Sequence, residues 1–116
     1  SATEIMTTIE RHPKLADGFN TARRLKHIGS AGVMTWLIYH VSRDAPDYGE
    51  DFIAGLANGE NLDKGNPILA LRTELIGQRG GRSRMDVLST LLDGWEKYKK
   101  WRNRQAKTAK QEDLDL

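Results

Sequence analysis

Basic and aromatic residues alternate near the end of the chain, and this is the feature with the clearest chemical meaning. Between positions 96 and 110, seven cations stand against one acid, and Tyr98 and Trp101 lie among them. Cations neutralise the phosphates of a nucleic-acid backbone, and aromatic rings pack on its sugars or bases. The pattern favours a nucleic-acid-binding surface. It also fits the solvated face of a terminal helix whose Trp101 covers the core.

A second basic cluster surrounds the glycine pair at positions 80 and 81. Backbone amides at a glycine pair approach an anion closely, and arginines bind phosphate through two parallel hydrogen bonds. The alternative is an ordinary linker between helices, and the spacing of a nucleotide-binding Walker loop is missing. The predicted nucleic-acid-binding residues of both clusters are Arg79, Arg82, Arg84, Lys97, Lys99, Lys100, Trp101, Arg102 and Arg104.

The sequence offers no pattern typical of catalysis or of a metal site. There is no cysteine, and His12, His27 and His40 lie far apart without the spacing of helical metal ligands. The acids around Pro46 are Asp44, Asp47, Glu50 and Asp51. We interpret them as acids at the start of a helix, where they complement its dipole. We therefore expect a protein that is not an enzyme and that uses no cofactor or metal.

The elements that must position the basic residues are helical, because apolar residues recur at intervals of three and four almost everywhere. A capping box at Ser1 opens a first helix that ends before Pro13, and a second helix runs from Pro13 to about Ile28. Further helices are predicted from the cap Ser30 to about residue 42, over residues 48–57, from residue 67, and from the cap Ser83 onward. The segment 31–41 is nearly all apolar, which indicates a helix buried on all sides.

These elements predict an all-α fold, a compact orthogonal bundle of five to six helices. The third helix and a long C-terminal helix lie at its centre. The chain has 116 residues, enough for one domain with a real core. We expect this domain to span residues 1–104 and residues 105–116 to form a charged, disordered tail. No segment is apolar for the roughly 20 residues that a membrane span needs, so we expect a cytoplasmic protein without a membrane partner.

Three segments resemble a known family. They are Thr3-Glu4-Ile5 leading to Glu10-Arg11-His12-Pro13, the stretch from Asp51 to Leu62 followed by Gly65 to Arg72, and Asp93-Gly94-Trp95-Glu96-Lys97-Tyr98. The pattern is similar to the helical C-terminal region of ParB/sulfiredoxin-like proteins of phages and other mobile elements. The resemblance extends over most of the chain. It departs from the family at the last segment, where an Ala-Trp-Asn-Ala type of sequence is common, so no recognition helix is identified.

The resemblance implies that an N-terminal ParB-like domain precedes this region in the parent protein. In the wider group, the helical region that follows often binds DNA. The start of the chain without Met agrees with a domain taken from a longer protein. We therefore expect an accessory DNA-binding domain, with DNA and the other domain of the parent protein as partners. The alternative is a protein-interaction or oligomerisation domain, including a homo-oligomer, whose partner face is formed by Trp95, Tyr98 and Trp101.

Overall fold

All the regular secondary structure in the described part of the chain is α-helix. The computed structural model describes residue 11 and residues 28–59, 62–77 and 83–114. It contains the helices α1 (Ala31–Asp44), α2 (Pro46–Ala57), α3 (Pro67–Gly77) and α4 (Arg84–Leu114). No strand occurs in these ranges, so the all-α prediction is confirmed. The two predicted helices before Gly29 lie outside the described residues, and the count of five to six helices stays a prediction.

Local sequence signals explain where the helices begin. Ser30 Oγ accepts a hydrogen bond from the Val33 amide at 3.2 Å, and Ser83 Oγ accepts one from the Asp86 amide at 3.2 Å. These contacts confirm both predicted caps, which satisfy amides that lack a partner within the helix. Proline opens α2 and α3 as their first residue, where the missing N–H costs nothing. Pro46 therefore starts α2 two residues before the predicted position 48.

The core forms where α4 packs against the other three helices. Its central group is aromatic: the Phe52 ring lies 5.1 Å from that of Trp95 and 5.3 Å from that of Tyr98, between ring centres. The buried apolar side chains within the helices are Val33, Met34, Leu37, Ile38, Val41, Phe52, Ile53, Leu56, Ile68, Leu71, Leu75, Leu91, Trp95 and Tyr98. The central position predicted for the segment 31–41 and for the last helix agrees with this packing.

One side of α1 is nevertheless open to solvent, so the prediction that this helix is buried all round is wrong. Trp36 is 42% exposed, because the described helices cover α1 only on the side that carries Leu37 and Val41. Its ring stacks on His40 at 5.2 Å with the ring planes 9° apart. Tyr39 is also only partly buried. An apolar sequence alone therefore did not specify which side of α1 faces the core.

The last helix extends beyond the helices against which it packs. It runs from Arg84 to Leu114, and every residue from Asn103 to Lys110 is exposed. Tyr48 reaches α4 as far as Asn103, so among described residues the two turns beyond Asn103 are held only by hydrogen bonds within the helix, a condition under which isolated helices are marginal in water. The disordered tail expected over residues 105–116, and the domain boundary at residue 104, stay predictions.

A close approach between α3 and α4 depends on a glycine. A Cβ built on Gly94 would lie 2.6 Å from Leu71 Cδ2, closer than non-bonded carbon atoms approach each other in proteins. Gly32, on α1, has no atom within 4 Å of the same position. Gly32 lies in the first turn of α1 and Gly94 in the interior of α4, and only Gly94 is crowded by a neighbouring helix.

We predict that Gly94→Ala lowers the free energy of unfolding by about 1–2 kcal/mol, because overpacking against Leu71 outweighs the gain in helix propensity. Gly32→Ala is the matched control and should raise this free energy by about 0.5–1 kcal/mol. Urea denaturation of both variants measures the difference. Equal stabilisation by both substitutions would show that α3 and α4 do not approach this closely.

Candidate nucleic-acid interface

Lys99 lies on the inner side of α4 and is bound by acids. Its Nζ donates to Asp44 Oδ2 at 2.5 Å and lies 2.9 Å from Glu96 Oε1. Trp95 Nε1 donates to the same Asp44 oxygen at 2.8 Å, and Lys99 Nζ lies 5.4 Å from the centre of the Trp95 ring. The side chain of Lys99 is 21% exposed. This lysine therefore joins the end of α1 to α4. Its positive charge is already balanced by two carboxylates, so it is poorly placed to bind a phosphate.

Arg102 is held in the same way by α2. Its Nη1 donates to Asp51 Oδ2 at 2.7 Å and to Tyr98 Oη at 2.8 Å. The guanidinium carbon lies 4.6 Å from the centre of the Tyr48 ring, within the range of a cation–π contact. Two acceptors and an aromatic ring thus surround a planar cation, an arrangement that suits arginine better than lysine. Arg102 stabilises the packing of α2 on α4.

These ion pairs also alter the protonation equilibria. The hydrogen bond from Lys99 holds the pKa of Asp44 below its ordinary value of 3.8, against the opposing effect of burial. Burial tends to lower the pKa of Lys99, but its hydrogen bonds to Asp44 and Glu96 raise it overall. Both partners therefore stay charged at neutral pH. Burial raises the pKa of Tyr98, so its hydroxyl remains neutral and accepts from Arg102.

The opposite side of α4 carries the cations that remain accessible. We call Lys97, Lys100, Arg104 and Lys107 the outer stripe, because their intervals of three and four residues place them along one side of the helix. All four are exposed. Lys97 lies 3.6 Å from Asp93, but both side chains are more than 70% exposed, so this ion pair is weak. Within the described ranges, no ion pair of the other three is found.

Trp101 lies at the edge of the core. It is partly buried and packs against Tyr98, with ring centres 5.8 Å apart. It also lines an open groove of about 640 Å³ between α2, the loop before α3, and α4. Asp51, Asp63 and Arg102 line the same groove, so acids outnumber cations there, which does not favour an anion. The geometry thus favours packing over stacking on a base for Trp101.

The remaining predicted residues are not brought to the outer stripe. Arg84 is exposed at the first turn of α4, and thirteen residues separate it from Lys97, about 20 Å along the helix. Arg79 and Arg82 lie outside the described residues. The two basic clusters therefore are not joined into one surface by the described part of the structure.

The sequence did not reveal the acidic partners of Lys99 and Arg102, the cations on the inner side of α4. Asp44 is the last residue of α1, so its interpretation as an acid at a helix start is wrong. It lies 55 positions from Lys99, and Asp51 lies 51 positions from Arg102. No local pattern indicates pairs at such distances. The one available signal was the presence of acids on the segment that precedes α2 and on α2 itself.

Arg72, a polar residue of the family-like segment, has a structural role. Its Nη1 donates to the backbone oxygen of Leu56, one of the last carbonyls of α2. A Cβ on Gly59 would lie 2.7 Å from Arg72 Nε, so glycine leaves room for the guanidinium. Arg72 thus ties the end of α2 to α3 and is not free for a ligand.

The described residues contain no group of three or more His, Asp or Glu side chains arranged to hold a metal ion. None of their helices combines the length and the apolar character that crossing a membrane requires.

Asp44 gives a prediction about acid stability. Because its pKa is lower in the folded protein than in the unfolded chain, its contribution to stability is present above pH 3.8 and is lost as the pH falls through the folded value. Asp44→Asn should therefore be less stable than the unmodified protein at pH 7, with a difference that narrows toward pH 2. Thermal unfolding between pH 7 and pH 2 measures this. The control Asp63→Asn removes an exposed loop aspartate, and a similar loss there would contradict a specific role for Asp44.

Comparison of the chain with protein-family models, with curated proteins and with solved structures finds no match. The resemblance to ParB-like proteins therefore stays a prediction that rests on the residue pattern. What the site does has to be argued from its geometry and charge.

Proposed function

We propose that this chain is an accessory DNA-binding domain of a phage or mobile-element ParB-like protein, acting in the cytoplasm without catalysis. The observation that carries the DNA-binding part is the outer stripe, a line of exposed cations on a helix whose inward-facing cations, Lys99 and Arg102, are bound by acids. The family part is supported by the sequence segments described above. The role implied is contact with backbone phosphates, which orients a protein on DNA without reading its sequence.

The physical basis is the difference between paired and unpaired cations. A phosphate would have to displace Asp44 or Asp51 to reach Lys99 or Arg102, and the displaced carboxylate would lose its partner. The outer stripe faces no such competition from described residues at Lys100, Arg104 and Lys107. Each of these cations releases a condensed counterion when it meets a phosphate, which drives association.

The proposed contacts therefore differ from the residues that the sequence predicted. Lys97, Lys100 and Arg104 remain phosphate contacts, and Lys107 joins them. Lys99 and Arg102 become positioning residues that hold α4 against α1 and α2 with the outer stripe turned away from the body. Lys107 lies ten positions after Lys97, so the stripe is about 15 Å long.

The salt dependence of duplex binding tests the proposal. The logarithm of the association constant should fall by about 0.9 per phosphate contact for each tenfold rise in salt, which gives a slope near −3.6 for four contacts. Lys100→Gln and Arg104→Gln should each reduce this slope by about 1, equally on different DNA sequences. Fluorescence anisotropy with a labelled duplex measures both quantities.

Lys64→Gln is the control, because Lys64 is an exposed lysine in the loop before α3 and is not part of α4. It should leave the slope unchanged. Absence of duplex binding at low salt would overturn the proposal. A slope that falls equally in the Lys64 variant would also do so, since it would trace binding to net charge alone.

A second candidate, an interaction or oligomerisation domain, is favoured by the exposed aromatic side of α1. Trp95 and Tyr98 are buried, with exposures of 0% and 2%, so they cannot form the predicted partner face. Trp36 can, since 42% of it is exposed and His40 supports its ring. Exposed tryptophans are frequent anchors of interfaces.

For this candidate, sedimentation velocity over a range of protein concentrations is the measurement. A homo-oligomer through α1 should sediment faster as concentration rises, and Trp36→Ala should abolish that rise. Because the mutated side chain lies at the surface, the variant should unfold at a similar temperature. A constant sedimentation coefficient of the unmodified protein would contradict self-association.

A further inference from the structure

The last turns of α4 extend beyond the body of the domain. Tyr48 Oη donates to Asn103 Oδ1 at 2.9 Å, the last hydrogen bond by which described residues tie α4 to another helix. Residues 104–110, which we call the α4 extension, are all exposed. The extension therefore presents most of its circumference to solvent, with Gln105 bordering the groove at Trp101, unlike the part of α4 that covers the core.

The cations of the extension are spread around the helix. Arg104, Lys107 and Lys110 follow at intervals of three residues. Each residue turns the helix by about 100°, so a step of three stops about 60° short of a full turn. The three cations therefore cover an arc of about 120°, with Lys107 at its centre. A flat surface contacts a helix along a single line, whereas a groove contacts the helix with its floor and with both walls. An arc of this width fits a groove.

The dimensions select one groove. An α-helix with its side chains is about 10–12 Å in diameter, and the major groove of B-form DNA is about 12 Å wide. The minor groove, at about 6 Å, is too narrow. The major groove of A-form RNA is deep and narrow and does not admit side chains in this way.

We infer that the α4 extension lies in the major groove of duplex DNA. In this placement Lys107 points toward the base edges instead of a phosphate, and Lys110 takes its place beside Arg104 as a contact to the phosphates of the two walls. The inference rests on the proposed DNA-binding function and names its substrate as B-form duplex. Lys107 would then meet guanine O6 and N7, the acceptors that lysine and arginine contact most often in this groove.

Blocking each groove separately tests the inference. The full chain is titrated against a labelled duplex in three forms: unmodified, with glucosylated hydroxymethylcytosine that fills the major groove, and with distamycin bound in the minor groove. The glucosylated duplex should bind at least about tenfold more weakly, and distamycin should change the affinity less than about twofold. An RNA duplex of the same sequence should also bind about tenfold more weakly.

Two substitutions separate the roles within the extension. Lys107→Gln should reduce the preference for a GC-rich over an AT-rich duplex, whereas Arg104→Gln should weaken binding to both by the same factor. Both variants should unfold at the temperature of the unmodified protein, because the side chains of Arg104 and Lys107 are exposed and form no ion pair with described residues. Lys64→Gln should change neither the preference nor the affinity.

The outcomes distinguish this inference from the proposal beneath it. Equal affinity for the unmodified and glucosylated duplexes, or loss of binding with distamycin, overturns the groove assignment and leaves phosphate contact by the outer stripe intact. Equal affinity for the RNA duplex also overturns it. Absence of any duplex binding at low salt overturns both.

Discussion

The packing of this domain depends on a single carboxylate at the end of α1. Trp95 is completely buried at the centre of the aromatic group, and its indole N–H needs a hydrogen-bond acceptor there. Asp44 supplies one, and the same oxygen accepts from Lys99. The charge of Asp44 is thereby balanced where α1 and α4 meet. Without this carboxylate, the buried indole N–H would lose its acceptor, which is costly, and Lys99 would keep only the more exposed Glu96 as its partner.

The rotation of α4 about its own axis follows from this interaction. Asp44 fixes Lys99 at one edge of the helix, and Asp51 fixes Arg102 one turn further along. With Trp95 and Tyr98 buried between them, the side that carries Lys100 and Arg104 has to face solvent. The exposed cations therefore owe their common direction to the paired ones, although the sequence presents all of them as one basic segment.

Sequence reasoning succeeded where the determining interactions are local. The caps Ser30 and Ser83 act three residues along the chain, and prolines act at their own position, so the starts of α1, α2, α3 and α4 could be placed closely. It failed where the determining interactions join distant positions. Both Trp36 and Leu37 are apolar, and only the placement of the other helices makes one exposed and the other buried.

The candidate site shows the same division. Its location on the last helix was predictable, because an excess of cations within fifteen residues is a local property. Which cations are available was not, because that depends on Asp44 and Asp51, more than fifty positions away from their partners. The aromatic residues were misleading for a related reason: Tyr98 beside lysines looks like a stacking platform, yet its burial makes it part of the core.

The two parts of α4 differ in what determines their structure. Up to Asn103, α4 is held by the body, so substitutions of its inward-facing residues there change folding and binding together. Beyond it, the helix is held only by its own backbone, and a bound duplex would add contacts that the free extension lacks. Binding of DNA should then stabilise the helix most where the domain itself stabilises it least, which couples order in the extension to the presence of its ligand.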